Sequence, residues 1–304
     1  MSRVKFGDVV KDVKINIDRL NNPYEYYVAG DHMDSEDLTI HRKGCFTTDD
    51  VGPAFIRVFK PGQILYGSRR TYLKKIAVAD FEGICANTTF VLETKDPLVL
   101  EQRLLPFIML SKDFTTWSIA KSKGSTNPYV LFSDLADFEF ELPPLEEQKV
   151  LADKLWAAYR LKEAYKKLLV ATDEMVKSQF IEMFDFNDLS LTSPANDFSK
   201  YCKDDTSSAT KIVAGDYLSK GIYPIYDQSK DNTIAGYTNK KEGLCDNVPA
   251  VLFGDHSRVI KYIKTPFFIG ADGVKIIRPK INEIIPEFLY YDLKYHTIPN
   301  TGYN

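Results

Sequence analysis

Cysteine is scarce. Cys45, Cys85, Cys202 and Cys245 lie far apart with no C-x-x-C pair among them, which excludes a zinc knuckle or a redox dithiol and leaves four reduced thiols. The four histidines, His32, His41, His256 and His296, show no H-E-x-x-H or comparable ligand spacing, so no metal centre is expected. No run of about 18 apolar residues is present to cross a bilayer, and the opening Met1-Ser2-Arg3-Val4-Lys5-Phe6-Gly7-Asp8 lacks the apolar stretch of a secretory signal. A cytoplasmic protein without membrane contact is expected.

Signatures of catalysis are missing as well. There is no G-x-x-x-x-G-K-[ST] phosphate loop and no G-x-G-x-x-G cofactor loop. Asn127-Pro128-Tyr129-Val130 approaches an N-P-P-aromatic methyltransferase motif but lacks its second proline, and reads as a turn entering a strand. Asp49-Asp50 and Asp204-Asp205 have no accompanying Glu-x-Lys and read as loop charges rather than nuclease metal ligands. No catalytic residue and no cofactor of the chain's own are expected. Excess positive charge is absent too: 39 Lys and Arg against 42 Asp and Glu give a net charge of -3. Nucleic-acid binding, which rests on neutralising phosphates, must then depend on local clusters. One such cluster runs through Arg69-Arg70, Lys74-Lys75, Lys112, Lys121 and Lys123; taken alone it fits a solvated basic face better than a binding surface.

What is present begins with a long helix in the middle of the chain. Pro143-Pro144 supplies a start, Glu146-Glu147 complements the positive end of the helix dipole, and neither Gly nor Pro interrupts up to Phe184. Leu151, Ala158, Leu161, Tyr165, Leu168, Thr172 and Met175 recur at steps of three and four, or their sum, as a seam for another helix. Charged residues occupy the remaining faces. At 1.5 Å per residue the helix is roughly 60 Å long, which suits a spacer better than a core helix.

On either side of it the sequence resembles itself. Ile64-Leu65-Tyr66-Gly67-Ser68-Arg69-Arg70 is followed by Ala86-Asn87-Thr88-Thr89-Phe90-Val91-Leu92, Gly67 preceding Ala86 by 19 positions. Val251-Leu252-Phe253-Gly254-Asp255-His256-Ser257-Arg258 is followed by Ala271-Asp272-Gly273-Val274-Lys275-Ile276-Ile277, with 17 positions from Gly254 to Ala271. Each half therefore runs from an apolar strand through an aromatic-Gly turn into polar and basic residues, and returns as another apolar strand. Val28-Ala29-Gly30-Asp31 also returns as Val213-Ala214-Gly215-Asp216. Each half then has a helical stretch, residues 102–121 with a break expected at Pro106, and residues 286–295. A polar segment follows each, Lys123-Gly124-Ser125-Thr126-Asn127 in the first half and Asn300-Thr301-Gly302-Tyr303-Asn304 in the second. Tandem similar domains joined by a helix suit a reader of a two-part target.

Leu142-Pro143-Pro144-Leu145-Glu146-Glu147-Gln148, opening the long helix after a Gly-Ser-x-Asn-Pro segment, closely resembles the junction of type I restriction-modification specificity subunits. Tyr66-Gly67-Ser68-Arg69-Arg70 with Tyr72-Leu73-Lys74-Lys75 resembles a target recognition domain of that family, and Phe253-Gly254-Asp255-His256-Ser257-Arg258 with Gly270-Ala271-Asp272-Gly273 resembles another subtype of it. The resemblance implies two mixed α/β target recognition domains joined by coiled-coil helices, an α+β chain divided as residues 1–142, 143–187 and 188–304. Each domain would read one half of a split duplex DNA target. The helices would set the unread spacing and dock methyltransferase subunits, which carry S-adenosylmethionine, and a translocating nuclease subunit would join for restriction. The family's second junction and second helix are not found before Asn304. The given sequence is then a fragment or a short form, and its seam awaits self-association or a complementing fragment.

Arg and Lys can donate two hydrogen bonds to guanine or one to phosphate, and Asn can pair with adenine. The candidate DNA contacts are accordingly Arg69, Arg70, Lys74, Lys121, Lys123, Ser125 and Asn127 in the first domain. In the second they are His256, Ser257, Arg258, Lys261 and Asn304; His256 fits a surface histidine making local hydrogen bonds at least as well. Two rivals remain at this stage, a two-domain oligomerisation scaffold and an enzyme combining methylation with recognition.

Overall fold

The computed structural model describes residues 2–18, 21–184, 198–229, 234–270, 273–282 and 284–295. The chain divides into two compact units, Met1–Tyr165 and Lys166–Asn304, and the division falls inside the long helix. Among the described residues no helix is long and apolar enough to cross a membrane.

In the first unit the strands are β1 (Ser2–Lys5), β2 (Val10–Asp12), β3 (Tyr26–Val28), β4 (Gly44–Cys45), β5 (Phe55–Phe59), β6 (Ile64–Gly67), β7 (Ile76–Val78), β8 (Gly83–Ala86), β9 (Thr89–Thr94) and β10 (Glu139–Leu142). They form one sheet in the order β2-β9-β6-β7 and a second in the order β4-β3-β8-β5, with β1 paired to β10. Side chains alternate between the two faces of a strand, and the first sheet is consequently packed on both sides. Leu65, Ala77 and Val91 meet Val28, Phe59 and Cys85 of the second sheet. Ile64, Tyr66, Ile76 and Leu92 face a cluster built with Phe6, Leu105, Phe114, Leu135 and Tyr159. Those residues come from α1 (Phe6–Val9), α2 (Leu105–Leu110), α3 (Lys112–Ala120), α4 (Phe132–Ala136) and α5 (Leu145–Phe184).

The expected break at Pro106 is corrected. Pro106 sits in the first turn of α2, where its missing N–H costs nothing, and the break comes at Ser111, whose hydroxyl accepts from the Phe114 N–H at 3.2 Å and caps α3.

The second unit has strands β11 (Cys202–Asp204), β12 (Lys211–Ile212), β13 (Tyr223–Tyr226), β14 (Gly236–Thr238), β15 (Ala250–Gly254), β16 (Ile260–Ile263), β17 (Phe268–Gly270) and β18 (Val274–Pro279), with helices α6 (Phe198–Tyr201) and α7 (Pro286–Tyr295). Its first sheet runs β11-β18-β15-β16, and the repeat read in the sequence is a repeat of register. Gly67 lies opposite Thr89 and Leu65 opposite Val91; Gly254 lies opposite Val274 and Leu252 opposite Ile276. Leu252, like Leu65, faces the second sheet, while Val251 packs with Leu289 of α7. The second sheets agree less closely. β8 is flanked by a parallel and an antiparallel strand, whereas both neighbours of β17 are parallel.

The helix α5 spans 40 residues, and its opening motif has a structural reason. The Gln148 side chain, 1% exposed, donates to the Val99 and Pro143 carbonyls at 2.9 Å each and accepts from the Glu101 N–H at 2.9 Å. Within the first unit the helix buries Ala152 and Tyr159; Trp156 donates to the Arg103 carbonyl at 2.8 Å and meets Phe107 edge to face. Within the second, Phe180 packs against Phe288 and Tyr291 of α7. The seam occupies another face. Leu151, Ala158, Leu161, Tyr165, Leu168, Thr172 and Met175 are all exposed, Leu161 by 57% and Met175 by 61%.

All four cysteines are free. Cys85, between the sheets, has its thiol pushed up to about 12 by burial.

Candidate nucleic-acid interface

Strand β6 ends at Gly67, and the chain turns over Ser68 to Lys75. Arg70 and Lys74 take left-handed backbone conformations, φ 49° and 48°, on either side of a short 3-10 turn, Thr71–Leu73. The Ser68 N–H and hydroxyl both donate to the Thr88 carbonyl, at 3.2 and 2.5 Å. A second segment, residues 123–130, completes the surface. The Val130 N–H donates to the Ser68 carbonyl at 2.9 Å, and the Arg70 N–H to the Pro128 carbonyl at 2.6 Å. Tyr129 forms antiparallel bridges with both Arg69 and Lys123, the latter closed by reciprocal N–H to carbonyl bonds of 2.8 and 2.9 Å. Gly124, at φ +87°, lets the intervening hairpin turn.

This folding brings Arg69, Arg70, Lys121, Lys123, Ser125 and Asn127 together as exposed residues on two bridged segments. The Arg69 guanidinium carbon lies 6.0 Å from the Tyr129 ring centroid, and the Lys121 amine 4.7 Å from that of Trp117. Lys123 pairs with Asp134 at 2.9 Å, a hydrogen bond that holds the Asp134 carboxyl below its ordinary range. Lys74 stands apart from the patch: its amine is bound by the Glu36 carboxylate, whose pKa that contact lowers. Sequence reasoning missed Tyr129 and Tyr72, exposed by 39% and 53%. For Tyr129 the available signal was its place in the Asn-Pro-Tyr turn; Tyr72 had only its neighbouring arginines.

The second unit repeats the turn with different side chains. The Asp255 N–H donates to the Gly273 carbonyl at 2.8 Å, as Ser68 does to Thr88, and the Arg258 N–H to the Gly254 carbonyl at 2.7 Å. This places Asp255 where Ser68 stands and His256 where Arg69 stands, in step with the pairing of Gly67 and Gly254. Gly273, at φ +70°, leaves no room for a side chain, since a Cβ there would lie 2.3 Å from the Asp255 carboxylate. His256 Nδ1 contacts that carboxylate, and Ser257 and Arg258, at φ 58°, are half-buried beside it.

Lys261 does not belong to this surface. It is paired across the strands with Leu252 and so shares Leu252's face toward the second sheet. It is 1% exposed, with its amine 3.3 Å from Ser229 Oγ and 3.9 Å from Asp227. Asn304, together with residues 300–303, lies outside the described residues. The acidic pairs are structural: Asp49 accepts from the Cys45 N–H and the Tyr27 hydroxyl, Asp204 pairs with Lys275 at 3.0 Å, and Asp205 with Arg278 at 2.7 Å.

The family model described as type I restriction modification DNA specificity domain matches residues 16–169, just over half of the chain. The specificity subunit of the type I restriction enzyme EcoDI from Escherichia coli is 28% identical over 135 residues, covering 43% of this chain and 29% of that subunit. The chain thus matches well under two thirds of that relative's length. The crystal structure of the type I restriction-modification S subunit from M. genitalium superposes with a TM-score of 0.54 at 18% identity, over 97% of this chain and 76% of that one. The HsdS subunit from Thermoanaerobacter tengcongensis gives a TM-score of 0.46 at 19% identity, over 97% and 78%. With its matched domain, its paired β-sheets and its long helix, the chain belongs to the type I restriction-modification DNA specificity family.

Proposed function

We propose that this chain selects DNA sites for a type I restriction-modification complex, each unit reading one half of a bipartite duplex target. The observation that carries this reading is the shared register of β6 with β9 and β15 with β18, which ends twice in a turn bearing polar and basic side chains. A shared first sheet carrying different turn residues suits two half-sites of unlike sequence. Arg69 and Arg70 can span guanine O6 and N7 or hold phosphates, Lys121 and Lys123 suit phosphates, and Ser125 and Asn127 suit an adenine edge. In the second unit His256, Ser257 and Arg258 take the corresponding roles. These localised groups would offset the unfavourable net charge of -3.

On this reading α5 sets the unread spacing and docks the methyltransferase subunits, which bind S-adenosylmethionine and modify the DNA in the cytoplasm, with a translocating nuclease joining for restriction. The chain itself is a non-catalytic recognition subunit. Its outward apolar row favours helix pairing within that assembly, by a second copy or a complementing segment. To test this, the purified chain is assayed for S-adenosylmethionine binding and DNA methylation with and without a type I methyltransferase subunit. Methylation only in the presence of the partner is expected; methylation by the chain alone contradicts the non-catalytic role.

A further inference from the structure

Residues 37–39 of the first unit close around a single hydroxyl on α5. The Tyr159 hydroxyl accepts from the Leu38 N–H at 2.9 Å, exchanges a hydrogen bond with Thr39 Oγ1 at 3.0 Å and donates to Asp37 Oδ1 at 2.5 Å. The Thr39 N–H donates to the same Asp37 oxygen at 3.0 Å. Asp37 is 5% exposed, and its other oxygen, Oδ2, lies 3.2 Å from His41 Nε2. One helical turn beyond Tyr159, on the same face, Glu163 brings a second carboxylate to this point. One donor atom from each of Asp37, His41 and Glu163 lies within 4.8 Å of the other two.

We infer that Asp37, His41 and Glu163 form a site for one divalent transition-metal ion of the zinc class, fastening the loop 36–41 to α5. Ligand chemistry sets the class of ion, because imidazole with carboxylates suits zinc and its neighbours, whereas calcium and magnesium prefer all-oxygen shells. Geometry agrees. A tetrahedral ion about 2.1 Å from each ligand needs donor atoms about 3.4 Å apart; Asp37 and His41 already stand at 3.2 Å, and the Glu163 donor lies within 4.8 Å of both. Outer hydrogen bonds are also in place, since Tyr159 and the Thr39 N–H occupy Asp37 Oδ1 and turn Oδ2 toward the ion. Motif reading missed the site because no sequence spacing links a loop pair to a helix residue more than 120 positions later.

The test uses the full chain, stripped with chelator and titrated with zinc chloride, reading bound metal by equilibrium dialysis and stability by thermal melting. One tightly bound ion per chain and a zinc-dependent rise in Tm are expected. Both should be lost in His41→Ala and in Glu163→Gln, which alter exposed or half-buried side chains and leave the core intact. Tyr159→Phe should weaken zinc binding by about 10- to 100-fold with the three ligands unchanged. Cobalt substitution should give a visible spectrum without a thiolate charge-transfer band, separating the site from the cysteines. Zinc binding identical in the wild type and in both ligand variants, or no rise in Tm at saturating zinc, overturns the inference whatever becomes of the DNA-reading proposal.

Discussion

Arg69 and Tyr129 lie opposite each other in an antiparallel bridge, with the guanidinium carbon 6.0 Å from the centre of the phenol ring. This contact joins the turn after β6 to the hairpin 122–129 and makes one surface of two segments that are far apart in sequence. It also stiffens an otherwise flexible side chain, which lowers the entropy lost when that side chain meets a base edge.

Arg69→Ala and Arg70→Ala should each weaken target binding by about 1–3 kcal/mol where the residue reads a base, and flatten the salt dependence where it holds a phosphate. Affinity measured across a salt series distinguishes the two. Unchanged affinity and unchanged slope in both variants would place this turn away from DNA.

Lys261→Met should leave DNA affinity unchanged, unlike the exposed cations. The side chain is enclosed between the sheets of the second unit, and methionine keeps an unbranched apolar stem only one atom shorter. A salt slope shallower by about one in this variant would show that the amine reaches a phosphate.

Gln148→Ala should destabilise the first unit by about 1–3 kcal/mol, because it strands the Glu101 N–H and the Val99 and Pro143 carbonyls at the root of α5. Chemical denaturation with a probe in the first unit measures the effect. A loss below about 0.5 kcal/mol would mean that water replaces the amide without penalty.

These cases show which features a linear reading can reach. The start of α5 is legible because Pro143-Pro144 and Glu146-Glu147 act locally, and the twin turns are legible because each follows an apolar strand that ends in an aromatic-Gly pair. The phase of the helix is less legible, since α5 carries two apolar rows. Ala152, Trp156 and Tyr159 pack on the first unit, while Leu151, Ala158, Leu161 and Tyr165 face outward, and only tertiary contacts decide between them. Lys261 was misjudged because its face depends on strand register against Leu252. The union of Arg69 and Arg70 with Lys123 and Asn127 rests on bridges through Tyr129 and Pro128 that have no local signal.

In the second unit burial pushes the Asp205 carboxyl up, but the Arg278 guanidinium and the Lys203 amine outweigh it and hold the carboxyl below its ordinary value of 3.8. A carboxylate whose folded pKa is lowered contributes stability above its unfolded pKa and loses it as the pH falls further. The wild type should therefore keep this contribution down to about pH 4 and lose it below. Asp205→Asn should cost about 2–4 kcal/mol at neutral pH by leaving the nearly buried Arg278 without its counter-charge. Equal neutral stability in the two proteins would show that the Asn247 and Pro249 carbonyls suffice for Arg278.

The exposed row Leu161, Tyr165, Leu168 and Met175 should drive association through α5. Sedimentation of the chain should show a concentration-dependent oligomer that Leu161→Asp and Leu168→Asp dissociate. A monomer at every concentration, indifferent to both changes, would contradict pairing through this face.

Selection from a random duplex DNA library, by the chain alone and by the chain with a type I methyltransferase subunit, tests sequence reading most directly. The account predicts enrichment of a two-part sequence with a fixed unread gap, whose first half relaxes in Arg69→Ala and whose second half relaxes in His256→Ala. Libraries left unenriched in both arms, while the chain remains folded, would contradict it.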